Sequence, residues 1–220
     1  MATHWRYQDE KSGIPAYFVR PFLDDNKNTD LVTHFNNVQL DKASVVNTKE
    51  ENIYKVNENK RKTNVKFFTN PQLQELCNQT SLIANSHMGL DYEINCIEAF
   101  QFARYEKDDK FDWHIDGQQC QYSKRVWDNS GGLRDISKTG NPMLINTVRK
   151  LSGIILLNTD YSGGELQFKW TDSEGEHIKT APLKKGDLVV FPSSLMHRVT
   201  PITKGTRHSI TFWIGGPPLK

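Results

Sequence analysis

Apolar residues recur along this chain at two spacings, and the change from one to the other falls near residue 93. Before it the helical period dominates. Leu31, Val32, Phe35 and Val38 return every three or four positions behind Asp24 and Asp25, which predicts a helix ending near Val38. A second helix is signalled more sharply. Asn70 offers a cap, Pro71 suits the first turn, and Leu73, Leu76, Cys77, Ile83 and Ala84 are expected to form the buried face. A short apolar segment at residues 16–20 precedes the first helix. Residues 41–66, rich in Asn and Lys, read as including an exposed loop.

After residue 93 the period shortens to that of strands. Residues 94–105 mix β-branched, aromatic and polar side chains in near alternation, and residues 151–157 are an apolar run short enough for a buried strand. Leu166, Phe168 and Trp170 alternate behind the Gly163-Gly164 turn. Gly186 and Asp187 turn the chain into a strand through Phe191, and residues 209–214 close the series. Helices followed by many strands predict a mainly β fold with supporting helices, a sandwich or jelly roll. Residues 117–148 fit neither period. A loop of that length beside candidate ligands reads as a lid.

With 220 residues, and no repeat or low-complexity linker, one domain is expected over 1–220, with helical support in about 1–92 and a β core in about 93–216. A formal net charge of +2 calls for neither nucleic acid nor an anionic membrane. Cys77, Cys96 and Cys120 cannot all pair and lack metal-binding spacing, so free thiols in a reducing compartment are expected. There is no apolar leader and no stretch of membrane-spanning length, which points to a cytoplasmic protein. Oligomeric state leaves no mark on the sequence.

The candidate chemistry begins at Asp112-Trp-His-Ile-Asp116. Residues two apart on a strand share a face, so His114 and Asp116 can reach one ion. With seven His and 26 acidic residues, about one such pair arises by chance, and the motif alone decides nothing. His197, behind a strongly apolar strand, supplies a third donor. Two His and one carboxylate on one side of an ion leave the other positions open, a set favoured by non-haem Fe(II) and compatible with zinc. The last strand places Arg207, Ser209, Thr211 and Trp213 on one face, and His208, Ile210, Phe212 and Ile214 on the other. The first face suits either a cavity holding an anion, since the guanidinium fork takes a carboxylate through two hydrogen bonds, or an edge strand facing solvent.

Taken in order, Arg104-Tyr105, His114-Ile-Asp116, Leu151-Ser152, Leu157-Asn158, Gly163-Gly-Glu-Leu166, Gly186 through Pro192, His197-Arg-Val-Thr-Pro201, Gly205-Thr-Arg207 and Phe212-Trp-Ile214 resemble the prolyl 4-hydroxylase-like branch of the Fe(II)/2-oxoglutarate-dependent dioxygenases, over about residues 94–216. The resemblance implies a double-stranded β-helix, a jelly-roll or cupin-like core. It implies His114, Asp116 and His197 as metal ligands and catalytic centre, Arg207 as partner of the distal carboxylate of 2-oxoglutarate, and Tyr105, Thr211 and Trp213 as lining of the cosubstrate pocket. Fe(II), 2-oxoglutarate, O2 and ascorbate as reductant come with it, as does hydroxylation of a peptidyl proline. The sequence departs from the family pattern at Leu156, Phe111 and Asp108. Nucleic-acid demethylases of a related branch carry a second arginine where this chain has Trp213, which counts against nucleic acid. The basic residues Lys124, Arg125, Arg134, Arg149 and Lys150 read as solvated surface.

Other candidates are set aside. His177 sits in a polar hairpin and is expected to be exposed, His208 has the wrong parity, and His4, His34 and His87 read as core or surface residues. Asp112 shares parity with His114 and is an alternative ligand. Trp5, Trp113, Trp127 and Trp170 read as packing or loop anchors. Competing functions are an oxygenase of a small molecule or nucleobase, a non-enzymatic metal-binding jelly-roll module, and a cupin-like hydrolase or isomerase.

Overall fold

The computed structural model describes residues 5–6, 17–46, 54–116, 121–122, 125–127, 133–135 and 147–218. Among them are two helices and two large antiparallel sheets facing each other. The larger sheet runs in the order Trp5–Arg6, Phe18–Pro21, Asp187–Pro192, Thr147–Leu156, Arg207–Gly216, Phe100–Tyr105, Asn64–Phe68, Asp41–Lys42. Cys96–Ile97 and Gln121–Tyr122 pair beside that path. The smaller sheet runs Gly175–Thr180, Leu166–Asp172, Met196–Val199, Lys110–His114, Arg61–Lys62. No helix among the described residues is long and apolar enough to cross a membrane.

Both helices start where their caps dictate. Helix α1 (Asp25–Asn36) is capped by Asp24, which accepts from the Lys27 N–H at 2.8 Å. Helix α2 (Pro71–His87) is capped by Asn70, which accepts from the Leu73 N–H at 3.0 Å, with Pro71 in the first turn. Leu73, Cys77 and Ala84 of the expected face are buried, joined by Thr80, Ser81 and Asn85. Leu76 and Ile83 are 48% and 39% exposed, because successive buried positions follow a stripe that both residues miss.

Strand periodicity sorts the larger sheet into two faces. The outer face offers Phe100, Phe102, Leu151, Ile155, Leu188, Val190, Ile210, Phe212 and Ile214 to Phe35 of α1 and to Leu73, Cys77 and Ala84 of α2. Full burial of each large side chain contributes about 1.5–3 kcal/mol. Gly153 leaves the space that Phe212 fills: a Cβ there would lie 2.1 Å from the ring. The inner face meets the smaller sheet in two clusters. One contains Ile154, Val189, Phe191, Leu166 and Phe168, the other Val65, Ala103, Tyr105, Val199 and Ile202.

Several expectations need correction. Residues 41–66 include the expected exposed loop, at 56–60, and also contribute strands to both sheets, among them Arg61–Lys62 and the start of Asn64–Phe68. Arg61–Lys62 is polar and lies at the edge of the smaller sheet. Residues 117–148 include Gln121–Tyr122, which pairs with the start of Thr147–Leu156, and a hairpin of Arg125–Trp127 with Leu133–Asp135. The rest of the expected lid, with Cys120, lies outside the described residues. Cys77 and Cys96 are free and buried. Final-strand residues Arg207, Ser209 and Trp213 are buried, and the strand lies inside the sheet between two neighbours, so the solvent-facing alternative does not hold.

Candidate metal centre

His114 ends the strand Lys110–His114 and pairs directly with His197 on Met196–Val199. Asp116 lies two residues beyond the strand. Strand parity therefore does not hold it in place; its backbone N–H donates to the Ser193 carbonyl at 2.9 Å, tying it to the turn before His197. One possible donor atom from each of the three residues lies within 4.8 Å of the others. His114 Nε2 is 3.7 Å from Asp116 Oδ1, and His197 Nε2 is 3.6 Å from Asp116 Oδ2. Donors at right angles about an ion with bonds of about 2.1 Å lie about 3 Å apart, so a small inward movement completes the set.

The imidazoles are oriented for an ion. His114 Nδ1 donates to the Asp112 carbonyl at 2.7 Å and His197 Nδ1 to the Leu195 carbonyl at 2.8 Å. A carbonyl only accepts, so each Nδ1 carries a proton and Nε2 is the ring nitrogen left for an ion. Phe111 stacks on His114 with centroids 3.5 Å apart, and Phe191 meets His197 edge-on at 4.8 Å. Burial, and then the charge of His197, push the His114 pKa below its ordinary value. The ring is therefore neutral at pH 7, as ligation requires.

Asp116 is held as a carboxylate. Burial would raise its pKa, but His197, His114, Arg149 and the Ser152 hydroxyl outweigh burial and hold it below the ordinary value. Its Oδ2 accepts from Ser152 Oγ at 2.7 Å and from Trp213 Nε1 at 2.9 Å. Oδ1 is left facing His114, free to meet an ion. Two imidazoles anchored at Nδ1 and one oriented carboxylate form a donor set that fits Fe(II). Asp112 is not part of it. A register shift between Phe111 and His114 breaks the shared parity, and the exposed Asp112 carboxylate accepts from the Trp113 N–H.

The final strand continues the cavity. Arg207 is 1% exposed, donates from Nη1 to Ser209 Oγ at 2.8 Å and lies 5.4 Å over the Tyr105 ring. Its Nε has no acceptor among the described residues. Gly164 makes room for it, since a Cβ there would meet Arg207 Cδ at 3.0 Å. Thr211 shares this face and is half-buried; Leu156, opposite Ser209, closes one wall with an apolar side chain. Trp213 turns its indole N–H to Asp116.

Four polar residues of this cavity escaped sequence reasoning: Ser152, Arg61, Gln101 and Arg149. Arg149, which reads as solvated surface in the sequence, has its guanidinium bonded twice to Glu98, at 2.6 and 2.7 Å, and lying 4.0 Å over the Trp213 ring. Lys150 is also buried, with its ammonium 5.5 Å from the Tyr92 ring; the side chains of Lys124, Arg125 and Arg134 are outside the described residues. A lone serine, glutamine or arginine gives no motif, and only the register of distant strands gathers them.

The residues set aside fall elsewhere. His177 is half-buried rather than exposed, bonded to Asp172 Oδ1 at 2.8 Å and stacked on Trp170, because the hairpin folds the two onto each other. His208 is buried on the opposite face beside Phe102. His34 and His87 are exposed, and Trp113 lies between Lys169 and Arg198. His4 and the side chains of Trp5 and Trp127 lie outside the described residues.

A family model described as 2OG-Fe(II) oxygenase superfamily matches residues 100–215, just over half of the chain. A PKHD-type hydroxylase of Xylella fastidiosa strain M23 is 32% identical over 117 residues, 52% of this chain and 43% of that protein. One of Cupriavidus pinatubonensis is 37% identical over 123 residues, 54% of this chain and 44% of that protein. The matches thus span less than half the length of these curated relatives. Among solved structures, a Pseudomonas putida prolyl-4-hydroxylase superimposes with a TM-score of 0.60 at 20% identity, covering 90% of this chain and 91% of the other. A Trichoplax adhaerens prolyl hydroxylase, in complex with a peptide fragment of hypoxia inducible factor, gives a TM-score of 0.59 at 16% identity, covering 90% and 82%. At these identities the likeness establishes the shared double-stranded β-helix fold.

Proposed function

Because this chain belongs to the 2OG-Fe(II) oxygenase superfamily, we propose that it is an Fe(II)- and 2-oxoglutarate-dependent dioxygenase that hydroxylates a C–H bond, with peptidyl proline as its substrate. One observation carries the activity: three oriented donors stand at the junction of the sheets, and the buried Arg207 lies on the inner face of the final strand, over Tyr105. A structural module has no use for Arg207 there, and a metal hydrolase has none for a carboxylate clamp. The peptidyl substrate is supported by the likeness to prolyl hydroxylases and by hydroxylase relatives.

In this reading His114, Asp116 and His197 hold the ion, and the Arg207 fork takes the far carboxylate of 2-oxoglutarate. Iron and 2-oxoglutarate, when bound, supply the activation of O2 that yields a hydroxylated product, succinate and carbon dioxide. The chain contributes orientation and a dry site. Ser152 and Trp213 fix the Asp116 carboxylate, Tyr105 and Thr211 line the cosubstrate position, and Leu156, Ile154 and Phe191 keep water from the inner wall.

The test is direct. Anaerobic protein given Fe(II) and 2-oxoglutarate should develop a weak visible charge-transfer band, and admission of O2 should release succinate. Absence of both sinks the proposal. His197→Ala should abolish both signals. A mass gain of one oxygen atom on proline-containing peptides, against free amino acids and nucleotides in parallel, identifies the substrate class.

A further inference from the structure

Arg61 enters the same cavity from the opposite sheet. It belongs to the edge strand Arg61–Lys62 and pairs with Phe111. Its guanidinium lies 4.5 Å from the Phe111 ring, the ring that stacks on His114. Nη2 donates to Gln101 Oε1 at 2.6 Å. Gln101 and Tyr105 share the inner face of Phe100–Tyr105. The Tyr105 phenol is a hydrogen-bond neighbour of Arg61, and Asp116 and His114 both sense its charge.

The side chain is 8% exposed. Among the described residues no carboxylate forms an ion pair with it, and its Nε has no acceptor. A buried charge without a counter-ion is costly, and hydrogen bonds to neutral groups offset only part of that cost. Arg207 meets the same description on the other side: buried, with Nε unpaired, and lying over Tyr105. Tyr105 thus stands between two guanidinium groups. Arg61 is the one beside the metal ligands. A dicarboxylate has two ends to match.

We infer that Arg61 is a second carboxylate anchor of this cavity, holding the carboxylate of 2-oxoglutarate next to the metal while Arg207 holds the far one. The inference rests on the 2-oxoglutarate reading above and deepens it. Gln101 acts as a positioning residue: its bond to Nη2 fixes the rotation of the fork and leaves Nε without a protein acceptor among the described residues. An arginine suits this task because its planar donors match a carboxylate edge.

Pyruvate separates the two ends, since it keeps the 2-oxo acid and lacks the distal carboxylate. Anaerobic Fe(II) protein is titrated with 2-oxoglutarate and with pyruvate, following the charge-transfer band, and calorimetry on Mn(II)-loaded protein repeats the titration. Arg61→Met is expected to weaken both ligands by the same factor, about 10- to 100-fold for a lost charge-assisted pair. Arg207→Met is expected to weaken 2-oxoglutarate and leave pyruvate unchanged. Arg61→Lys, which keeps the charge and loses the fork, should fall between wild type and Arg61→Met. Mn(II) affinity of each variant checks that the metal site is intact. If the methionine variant does not fold, the lysine variant decides: equal weakening of both ligands supports the assignment. Unchanged affinity for both ligands, or loss of 2-oxoglutarate alone, overturns it. Wild-type protein that takes up neither ligand overturns the dioxygenase reading itself.

Discussion

Asp116 shows how a single side chain is made ready for an ion. Oδ2 is engaged by Ser152 and Trp213, which leaves Oδ1 toward His114. Groups that orient a metal ligand typically matter about 10- to 100-fold in affinity. Trp213→Phe keeps the aromatic packing and removes the N–H, so Fe(II) or Mn(II) affinity should drop about 10-fold, as read by metal titration. An unchanged affinity would mean that Ser152 alone holds the carboxylate. His208 makes the complementary case. Burial, and then the charge of Arg104, lower its pKa from 6.5, and neither ring nitrogen has a partner among the described residues. Below pH 6.5 the unfolded chain takes up a proton that folded His208 resists, so this residue's stabilising effect is present above pH 6.5 and lost as pH falls toward the lowered folded value. His208→Phe should raise the melting temperature at pH 5 relative to wild type and flatten that part of the stability profile. A wild-type slope that survives the substitution would assign it to another group.

At the scale of elements, the caps act as written in the sequence. Asn70 accepts from the Leu73 N–H and Pro71 needs no partner, so α2 begins where both residues require. Asn70→Ala should cost about 1 kcal/mol, seen as a lower denaturation midpoint with an unchanged slope. Strand identities were equally legible wherever one face is apolar, as in Asp187–Pro192 and Arg207–Gly216. Arg61–Lys62 was not, because a polar stretch at a sheet edge carries the composition of a loop. Strand parity is not what brings Asp116 to His114. The strand ends at His114, and a bond to Ser193 from another segment fixes the carboxylate.

At the scale of the whole molecule, no strand of one sheet pairs with a strand of the other among the described residues, and the metal centre spans their junction. His114 and His197 come from the smaller sheet; Ser152, Trp213 and Arg207 come from the larger. An ion should therefore tie the sheets together. Metal that binds only the folded state stabilises it by mass action, about 2.7 kcal/mol at one hundred times its dissociation constant. Mn(II) should raise the melting temperature, chelator should reverse the rise, and His197→Ala should remove it. A Mn(II) shift retained in that variant would locate the ion elsewhere.

By itself the sequence determined what local periodicity and residue chemistry can carry. Those are the two helices with their caps, the strands with a clear inner and outer face, the His114, Asp116, His197 donor set, and Arg207 on the cavity side of its strand. Only the tertiary structure decided which polar residues join them. Ser152, Gln101, Arg149 and Arg61 are ordinary in sequence, and they become part of one site because strand register places distant positions opposite each other. Parity along a strand is a local property, written in alternate residues. Which strands become neighbours is not local, and at this site that pairing selected the groups that orient the ligands and line the cavity.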